Sequence, residues 1–191
     1  MEQLGNTIIK KNAVIISIVA GKKLKELESK FSNTNNFFRV MPNIPASVGE
    51  SMNCVCASKK ASIIKKNKVM KLLSYSGKTI FLKDENHIDM STAISGSGPG
   101  FVFNIIDAME NSAIKLGFTK KTAKLITLQT FKGSIKLLSK NKVNAKDLVK
   151  TVATKGGTTE AGIKVMNENN FHKIFVSVTK ASYKQAKKQG K

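Results

Sequence analysis

A glycine-rich turn in front of a predicted helix is the stretch of this sequence best suited to chemistry. Residues 152–167 read V-A-T-K-G-G-T-T-E-A-G-I-K-V-M-N, with apolar residues at helical spacing after the turn. Gly156 and Gly157 let the backbone turn, and the first helical amides lack intrahelical acceptors beside the positive end of the helix dipole. This predicts a site for a carboxylate or phosphate. The same residues also fit an ordinary cap, in which Thr158 or Thr159 accepts a bond from a first-turn amide.

A second glycine-rich run, S-G-S-G-P-G over residues 95–100, looks at first like a dinucleotide-binding loop. It does not follow a predicted strand, and a lone run of this type is weak evidence for a nucleotide site. We therefore interpret it as a tight junction between two helices.

Cys54 and Cys56 are the only cysteines. Two residues apart in a strand-like run, their side chains point to the same face, which disfavours a disulfide between them. Two thiols without nearby histidines do not make a zinc site, so we predict no metal. Reduced core cysteines favour a cytoplasmic location, and no apolar run approaches the length of a membrane span.

The chain is strongly basic: 33 Lys and Arg against 12 Asp and Glu give a net charge of +21 over 191 residues. Such an excess points first to nucleic acid or an anionic surface. However, Arg39 is the only arginine, tryptophan is absent, and the lysines are scattered. Nucleic-acid readers rely on arginine and interleaved aromatic residues. We therefore expect solvated lysine-rich faces, and we rank nucleic-acid binding well below other functions.

The first half of the chain predicts a βαβ unit. The β-branched, apolar run over 13–20 fits a strand covered on both faces, as in a parallel sheet, and a short helix and a strand over 37–41 follow. Further strands are predicted over 51–57 and 78–82, around a helix over 61–73. Ligands bind at the carboxyl ends of parallel strands. The residues expected on that rim are Val19, Ala20, Gly21, Met41, Pro42 and Asn43.

From about residue 84, helical periodicity dominates. The predicted helices cover 88–94, 101–116, 122–138, 145–152, 159–166 and 171–186. We therefore divide the chain into an α/β domain over 1–83 and an all-helical domain over 84–191. Several of these helices carry apolar residues on more than one face, which predicts a homodimer or a higher oligomer of dimers.

Three motifs in order resemble the pyrroline-5-carboxylate reductase family: R-V-M-P-N-I-P-A over 39–46, S-G-S-G-P over 95–99, and T-K-G-G-T-T-E-A-G over 154–162. The resemblance covers essentially the whole chain. It implies the C-terminal remnant of a Rossmann-type parallel sheet, followed by a helical dimerisation and substrate-binding domain. It also implies reduction of the small molecule 1-pyrroline-5-carboxylate to L-proline with NADP(H) or NAD(H), the last step of proline biosynthesis.

The resemblance further implies functional residues in both domains. Those bordering the cofactor would be Val19, Ala20 and Gly21, and those near the nicotinamide would be Met41, Pro42 and Asn43. The substrate loop would comprise Thr154, Gly157, Thr158 and Thr159, with Glu85 as an acidic substrate contact. Thr159 would be the catalytic residue, through orientation and hydrogen bonding to the imine, because threonine is a poor acid at neutral pH.

One departure from the family is serious, because no G-x-G-x-x-G follows a first strand anywhere in the chain. We expect the first βαβ units of the Rossmann domain to be missing, which removes the cradle for the pyrophosphate. The chain is then either an N-terminally truncated reductase or an inactive remnant that acts only as a helical dimerisation module. On either reading, we expect little or no turnover from the chain alone.

Overall fold

The computed structural model describes residues 9–31, 33–140 and 143–189. The strands of this part of the chain are β1 Val14–Ser17, β2 Asn36–Met41, β3 Ser51–Ala57 and β4 Gly77–Phe81. Its α-helices are α1 Leu24–Lys30, α2 Ile63–Ser74, α3 Asn86–Ser91, α4 Gly98–Lys115, α5 Lys120–Lys140, α6 Ala145–Val152, α7 Thr158–Glu168 and α8 Phe171–Lys188. A 3-10 helix, Ile44–Val48, follows β2, and a π-helical turn, Thr92–Gly96, follows α3. None of the described helices is long and apolar enough to cross a membrane.

The strands form one sheet in the order β1-β2-β3-β4. β1 runs parallel to β2, β3 runs antiparallel to β2, and β4 runs parallel to β3. The predicted βαβ unit is therefore confirmed, as is the Rossmann-type sheet followed by helices. The sheet is mixed rather than parallel throughout because the connection from Met41 to Ser51 is too short for a parallel crossover.

The first strand is shorter than its sequence predicts and lies at an edge. β1 lies at the edge of the sheet, and all four of its residues are only half-buried. Ile18 and Val19, inside the predicted strand over 13–20, are 62% and 57% exposed. The strand nevertheless packs on both faces, as its sequence predicts, with Ile15 against the core on one side of the sheet and Val14 and Ile16 against the core on the other. Its half-burial reflects its place at the edge of the described sheet, and only the predicted length over 13–20 is wrong.

The two faces of the sheet carry separate cores. On one face Phe37, Cys54 and Cys56 pack with residues of α1 and α3. On the other face Phe38 and Val55 pack against α2. The two cysteines share a face, as their spacing predicts, and both are free and buried. Burial, together with the nearby carboxylate of Glu85, raises the pKa of Cys56 to about 12, so this thiol stays protonated at neutral pH.

Arg39 is the one charged residue of β2, and its side chain is only 3% exposed. Its guanidinium donates to Glu85 Oε1 at 2.8 Å and to Asp89 Oδ1 at 3.1 Å. The same Glu85 oxygen accepts the backbone N–H of Leu24 at 2.7 Å. These bonds join β2 to the start of α1 and to α3, and they satisfy a charge that would otherwise be costly to bury.

The second half of the chain is helical, as predicted, and the bounds of α6 match the predicted helix. The predicted helix over 88–94 is instead divided between α3 and the π-helical turn, where the Ser95 hydroxyl donates to Ser91 O at 2.9 Å. The described chain divides into two compact units, Met1–Pro99 with Val178–Lys191 and Gly100–Ser177. The functional boundary predicted between residues 83 and 84 stays a prediction.

We predict that Arg39→Met lowers the free energy of unfolding by about 3 to 5 kcal/mol, because it leaves two largely buried carboxylates without their partner. Urea unfolding followed by circular dichroism measures the change. The matched control is Lys22→Met, which breaks the Lys22–Glu26 pair, whose side chains are each 38% exposed. That control should cost about 1 kcal/mol or less. Equal effects of the two substitutions would contradict the anchoring role of Arg39.

Candidate active site

The rim at the carboxyl ends of β1 and β2 holds the six residues that the sequence predicts there. Because these strands are parallel, the chain after Ser17 and the chain after Met41 emerge at the same edge of the sheet. Gly21 is buried with a φ of 79°, a conformation that glycine adopts without strain. Ala20 packs against the core, whereas Val19 is exposed. The rim therefore offers a backbone turn and an apolar side chain beside the Met41-Pro42-Asn43 loop.

The side-chain amide of Asn43 is engaged within the protein. Its Oδ1 accepts the backbone N–H of Met52 at 3.0 Å, and its Nδ2 donates to Ser95 O at 2.9 Å. Gly96 also lies against Met41, because a Cβ there would meet Met41 Sδ at 3.4 Å. The rim loop is thus tied to β3 and to the π-helical turn, so the side chain of Asn43 fixes the loop's position.

The run over 95–100 is a helix junction, as its sequence predicts. The π-helical turn ends at Gly96, and α4 begins at Gly98. Ser97 donates its backbone N–H to Thr92 O at 2.8 Å, and its hydroxyl lies 2.8 Å from the hydroxyl of Ser182 in α8. These bonds give the run a structural explanation that requires no nucleotide.

The predicted substrate loop lies in the unit Gly100–Ser177, where it forms a tight turn ahead of α7. Gly157 donates its N–H to Thr154 O at 2.9 Å, and Gly156 has a φ of 74°. A Cβ on Gly157 would lie 2.8 Å from Thr154 Oγ1 and 3.0 Å from Thr154 O. Both glycines are therefore required: Gly156 because of its left-handed backbone conformation, and Gly157 because of its close packing against Thr154.

The predicted threonine cap is wrong. The N-cap of α7 is Gly157, which has no side chain to bond an amide, and Thr158 and Thr159 are the first two residues of the helix. Glu160 supplies a carboxylate instead: its Oε2 accepts the N–H of Gly156 at 2.7 Å. The Thr-Thr-Glu sequence is compatible with either arrangement, and the position at which the helix begins decides between them.

An open cavity of about 580 Å³ lies against the start of α7. Its lining includes Gly156, Gly157, Glu160 and Lys164, so the glycine turn contributes backbone to its wall. Thr154, Thr158 and Thr159 are not part of this lining. Thr159 is half-buried, and the other two threonines are exposed. The N–H groups of Gly156 and Gly157 are already bonded, so it is the first amides of α7 that can be offered to an anion, with threonine hydroxyls adjacent in the chain.

Two features of this site were missed by sequence reasoning. Glu85 was predicted as a substrate contact, and its Oε1 is bound by Arg39 and Leu24. The signal was available, because the only arginine of the chain stands in an otherwise apolar strand and a buried charge requires partners. The carboxylate of Glu160 on the Gly156 amide was also missed, and an acidic residue at the third helical position is a known capping signal.

A model of the protein family described as pyrroline-5-carboxylate reductase dimerisation matches residues 85–189. The chain belongs to the pyrroline-5-carboxylate reductase family. It is 35% identical to the reductase of Aquifex aeolicus over 92% of its own length, and it spans 66% of that relative. It is 33% identical to reductase 2 of Bacillus subtilis, again over 92% of its length, and spans 63% of that protein.

Solved pyrroline-5-carboxylate reductases share the fold. The structure from Coxiella burnetii matches with a TM-score of 0.90 at 30% identity, covering 100% of this chain and 70% of that one. The Plasmodium falciparum enzyme, solved with NADP bound, matches with a TM-score of 0.86 at 29% identity, covering 93% of this chain and 71% of that one. This family member therefore carries most of the reductase fold and about two thirds of the length of its curated relatives.

We predict that Gly157→Ala destabilises the protein by about 1 to 3 kcal/mol, because the new methyl group overlaps Thr154 and the turn must open. The matched control is Gly162→Ala within α7, where a Cβ has open space. That change should stabilise the helix by about 0.5 to 1 kcal/mol. Urea unfolding of both variants measures the difference, and destabilisation by the control alone would contradict the packing of the turn.

Proposed function

We propose that this chain carries the substrate-binding and dimerisation parts of a pyrroline-5-carboxylate reductase. The reaction is the reduction of 1-pyrroline-5-carboxylate to L-proline with NADPH or NADH, the last step of proline biosynthesis. The observation that carries the proposal is the Gly156-Gly157 turn, which presents the start of α7 as a set of amides without intrahelical acceptors. The reductases named among its relatives, at 33% and 35% identity, support the choice of substrate.

The substrate is a small ring with one carboxylate and one imine nitrogen, and the turn suits both. The first amides of α7 and the helix dipole hold the carboxylate. The Thr159 hydroxyl donates to a neutral imine nitrogen or accepts from a protonated one, and so orients the ring. Because threonine is a poor acid at neutral pH, the proton arrives with an iminium substrate or from water. Thr154, Gly157 and Thr158 complete the loop.

Glu85 enters the proposal through its second carboxylate oxygen. Its Oε1 is bound by Arg39 and Leu24, whereas the side chain as a whole keeps 30% exposure. A substrate contact by Oε2 is compatible with that anchoring. In this arrangement Arg39 holds the carboxylate in place for contact with the ring.

The chain fits one part of the coenzyme. The Gly21 turn and the Met41-Pro42-Asn43 loop offer a border for the nicotinamide at the carboxyl ends of parallel strands. When bound, NADPH or NADH would supply the hydride for the imine carbon. The sequence contains no G-x-G-x-x-G, so the pyrophosphate has no cradle in this chain.

We also propose a homodimer, or a higher oligomer of dimers, built on the helical part of the chain. The dimerisation family that matches residues 85–189 supports this assembly and a functional boundary near residue 84. Large apolar side chains on α4 and α5 support it too, because Phe103, Leu125 and Ile135 are 57%, 68% and 58% exposed. The two buried free thiols support a cytoplasmic location.

L-Proline, which keeps the ring and the carboxylate, tests the substrate clamp. We predict saturable binding with NMR shifts of the Gly157, Thr158 and Thr159 amides, and no such shifts with pyrrolidine, which lacks the carboxylate. Thr159→Ala should weaken binding by about tenfold, since a hydrogen bond to a charged group is worth about 1.5 to 3 kcal/mol. The control Thr130→Ala removes a hydroxyl that bonds only Ile126 O of its own helix and should leave affinity unchanged. An equal response to pyrrolidine would refute the carboxylate clamp.

An assay of NADPH oxidation by the same protein distinguishes an active reductase from an inactive dimerisation module. With NADPH and 1-pyrroline-5-carboxylate, we expect little or no loss of NADPH absorbance, because the pyrophosphate has no cradle in the chain. Proline binding without turnover would support the clamp and assign the remaining coenzyme contacts to residues outside this chain. Turnover typical of an intact dehydrogenase would contradict that assignment. Absence of both activities would favour the helical dimerisation module.

The oligomer is tested by light scattering at several protein concentrations. We expect at least a dimer, and we expect Phe103→Glu to shift the mass toward the monomer because it places a charge on exposed apolar surface. The control Lys68→Glu changes the charge of an exposed residue on α2 and should leave the mass unchanged. Circular dichroism establishes that both variants keep their helices, and a monomeric parent chain would contradict the proposal.

A further inference from the structure

A cavity of about 720 Å³ lies at the end of the sheet where β2 begins. Its apolar lining comprises the half-buried Phe31 and Ala57 and the buried core residues Leu24 and Phe37 behind them. The volume lies within the range of small-molecule sites, which run from about 300 to 1,000 Å³. The apolar part gives the cavity a surface against which a hydrocarbon body can pack.

Four lysines from separate elements line the same cavity. Lys25 belongs to α1, Lys59 and Lys60 follow β3, and Lys83 follows β4. None of the four forms an ion pair with a described residue. The fold thus brings four lysines that are not neighbours on one helix to the same cavity. A run of lysines along one solvated helix would instead spread its charge over the surface.

The lysines of the lining outnumber its carboxylates by four to three, and Glu85 is already paired with Arg39. Glu85 Oε1 accepts from Arg39 and from the Leu24 N–H, and Asp84 Oδ1 accepts the Asn86 N–H at 2.9 Å. Glu28 is the remaining acidic residue of the lining. Positive charge is therefore in excess at the cavity, and an anion would be attracted to it.

The two strand ends that border the cavity are fastened together. Ser58 donates its backbone N–H to Phe37 O at 2.9 Å, and its hydroxyl donates to Asn35 O. The hydroxyl oxygen also accepts the Phe37 N–H at 3.4 Å. This part of the wall is held by the fold, so a ligand need not order it on binding.

The cavity and the rim lie at opposite ends of the sheet. β2 begins beside the cavity, and the Met41-Pro42-Asn43 loop follows the other end of that strand. β3 and β4 run toward the cavity, which is why the lysines that follow these strands meet there. None of the six rim residues lines the cavity, although Leu24, which follows the turn after β1, and Glu85, the proposed substrate contact, do.

We propose that this cavity binds an organic anion with an apolar body, a carboxylate or a phosphate monoester. The ring or chain of the ligand packs on the half-buried Phe31 and Ala57, and its anionic group bonds the ammonium groups of Lys59, Lys60 and Lys83. Lysine suits this task because it offers a mobile point charge with three donors.

The test titrates the full chain with 1-naphthyl phosphate and 1-naphthoate at low and at physiological salt, followed by NMR. We expect saturable shifts of amides at residues 24–37 and 57–60, and about tenfold weaker binding after Lys59→Gln, Lys60→Gln and Lys83→Gln are combined. The control combines Lys68→Gln, Lys71→Gln and Lys78→Gln, which remove the same charge from exposed lysines outside the cavity. This control should change affinity by less than about twofold, apart from long-range screening.

Two further ligands separate the contribution of the anionic group to the binding affinity from that of the apolar ring. Inorganic phosphate and 1-naphthylmethanol should each bind at least about tenfold more weakly than 1-naphthyl phosphate. Equal weakening by the two lysine triples would mean diffuse charge attraction and would overturn the proposal, as would the absence of saturable binding at millimolar ligand. Tighter binding of the phosphate or of the carboxylate identifies which anion the site prefers.

Discussion

The buried guanidinium of Arg39 holds together the part of the fold on which the rim depends. Its charge requires partners in a core that otherwise consists of apolar side chains and thiols. Glu85, the N-cap residue of α3, and Asp89 within that helix provide these partners, and Glu85 also bonds the first amide of α1. One ion cluster thereby sets where a strand and two helices meet. The neighbouring Cys56 responds to the same cluster, because Glu85 helps to raise its pKa.

The rim loop and the glycine turn are held in place by different kinds of interaction. The Met41-Pro42-Asn43 loop is held by a side-chain amide that bonds β3 on one side and the π-helical turn on the other. The turn before α7 is held by the backbone itself, through the left-handed Gly156 and the close approach of Gly157 to Thr154. Glu160 also holds this turn, because its carboxylate accepts the N–H of Gly156.

The large positive charge has a different meaning on the surface and in the interior. Lysines account for almost all of it, and they stand on solvated faces where long side chains keep their ammonium groups hydrated. The only arginine is used where the charge is buried and must form several directional bonds at once. Net charge alone therefore says little about the ligands of this protein, whereas the convergence of lysines from several elements on one cavity is informative.

The sequence by itself determined the elements and their order. Periodicity fixed the helices after residue 84, the βαβ unit and the shared face of Cys54 and Cys56, because these depend on local backbone geometry. Three spaced motifs were enough to indicate the family. Only the tertiary structure decided that β1 is the edge strand of the described sheet, that β3 reverses direction, and that Arg39 binds Glu85. It also decided that Glu160 rather than a threonine bonds the amide ahead of α7. Burial, strand pairing and ion pairing depend on which segments distant in sequence come into contact. Local sequence patterns do not determine those contacts.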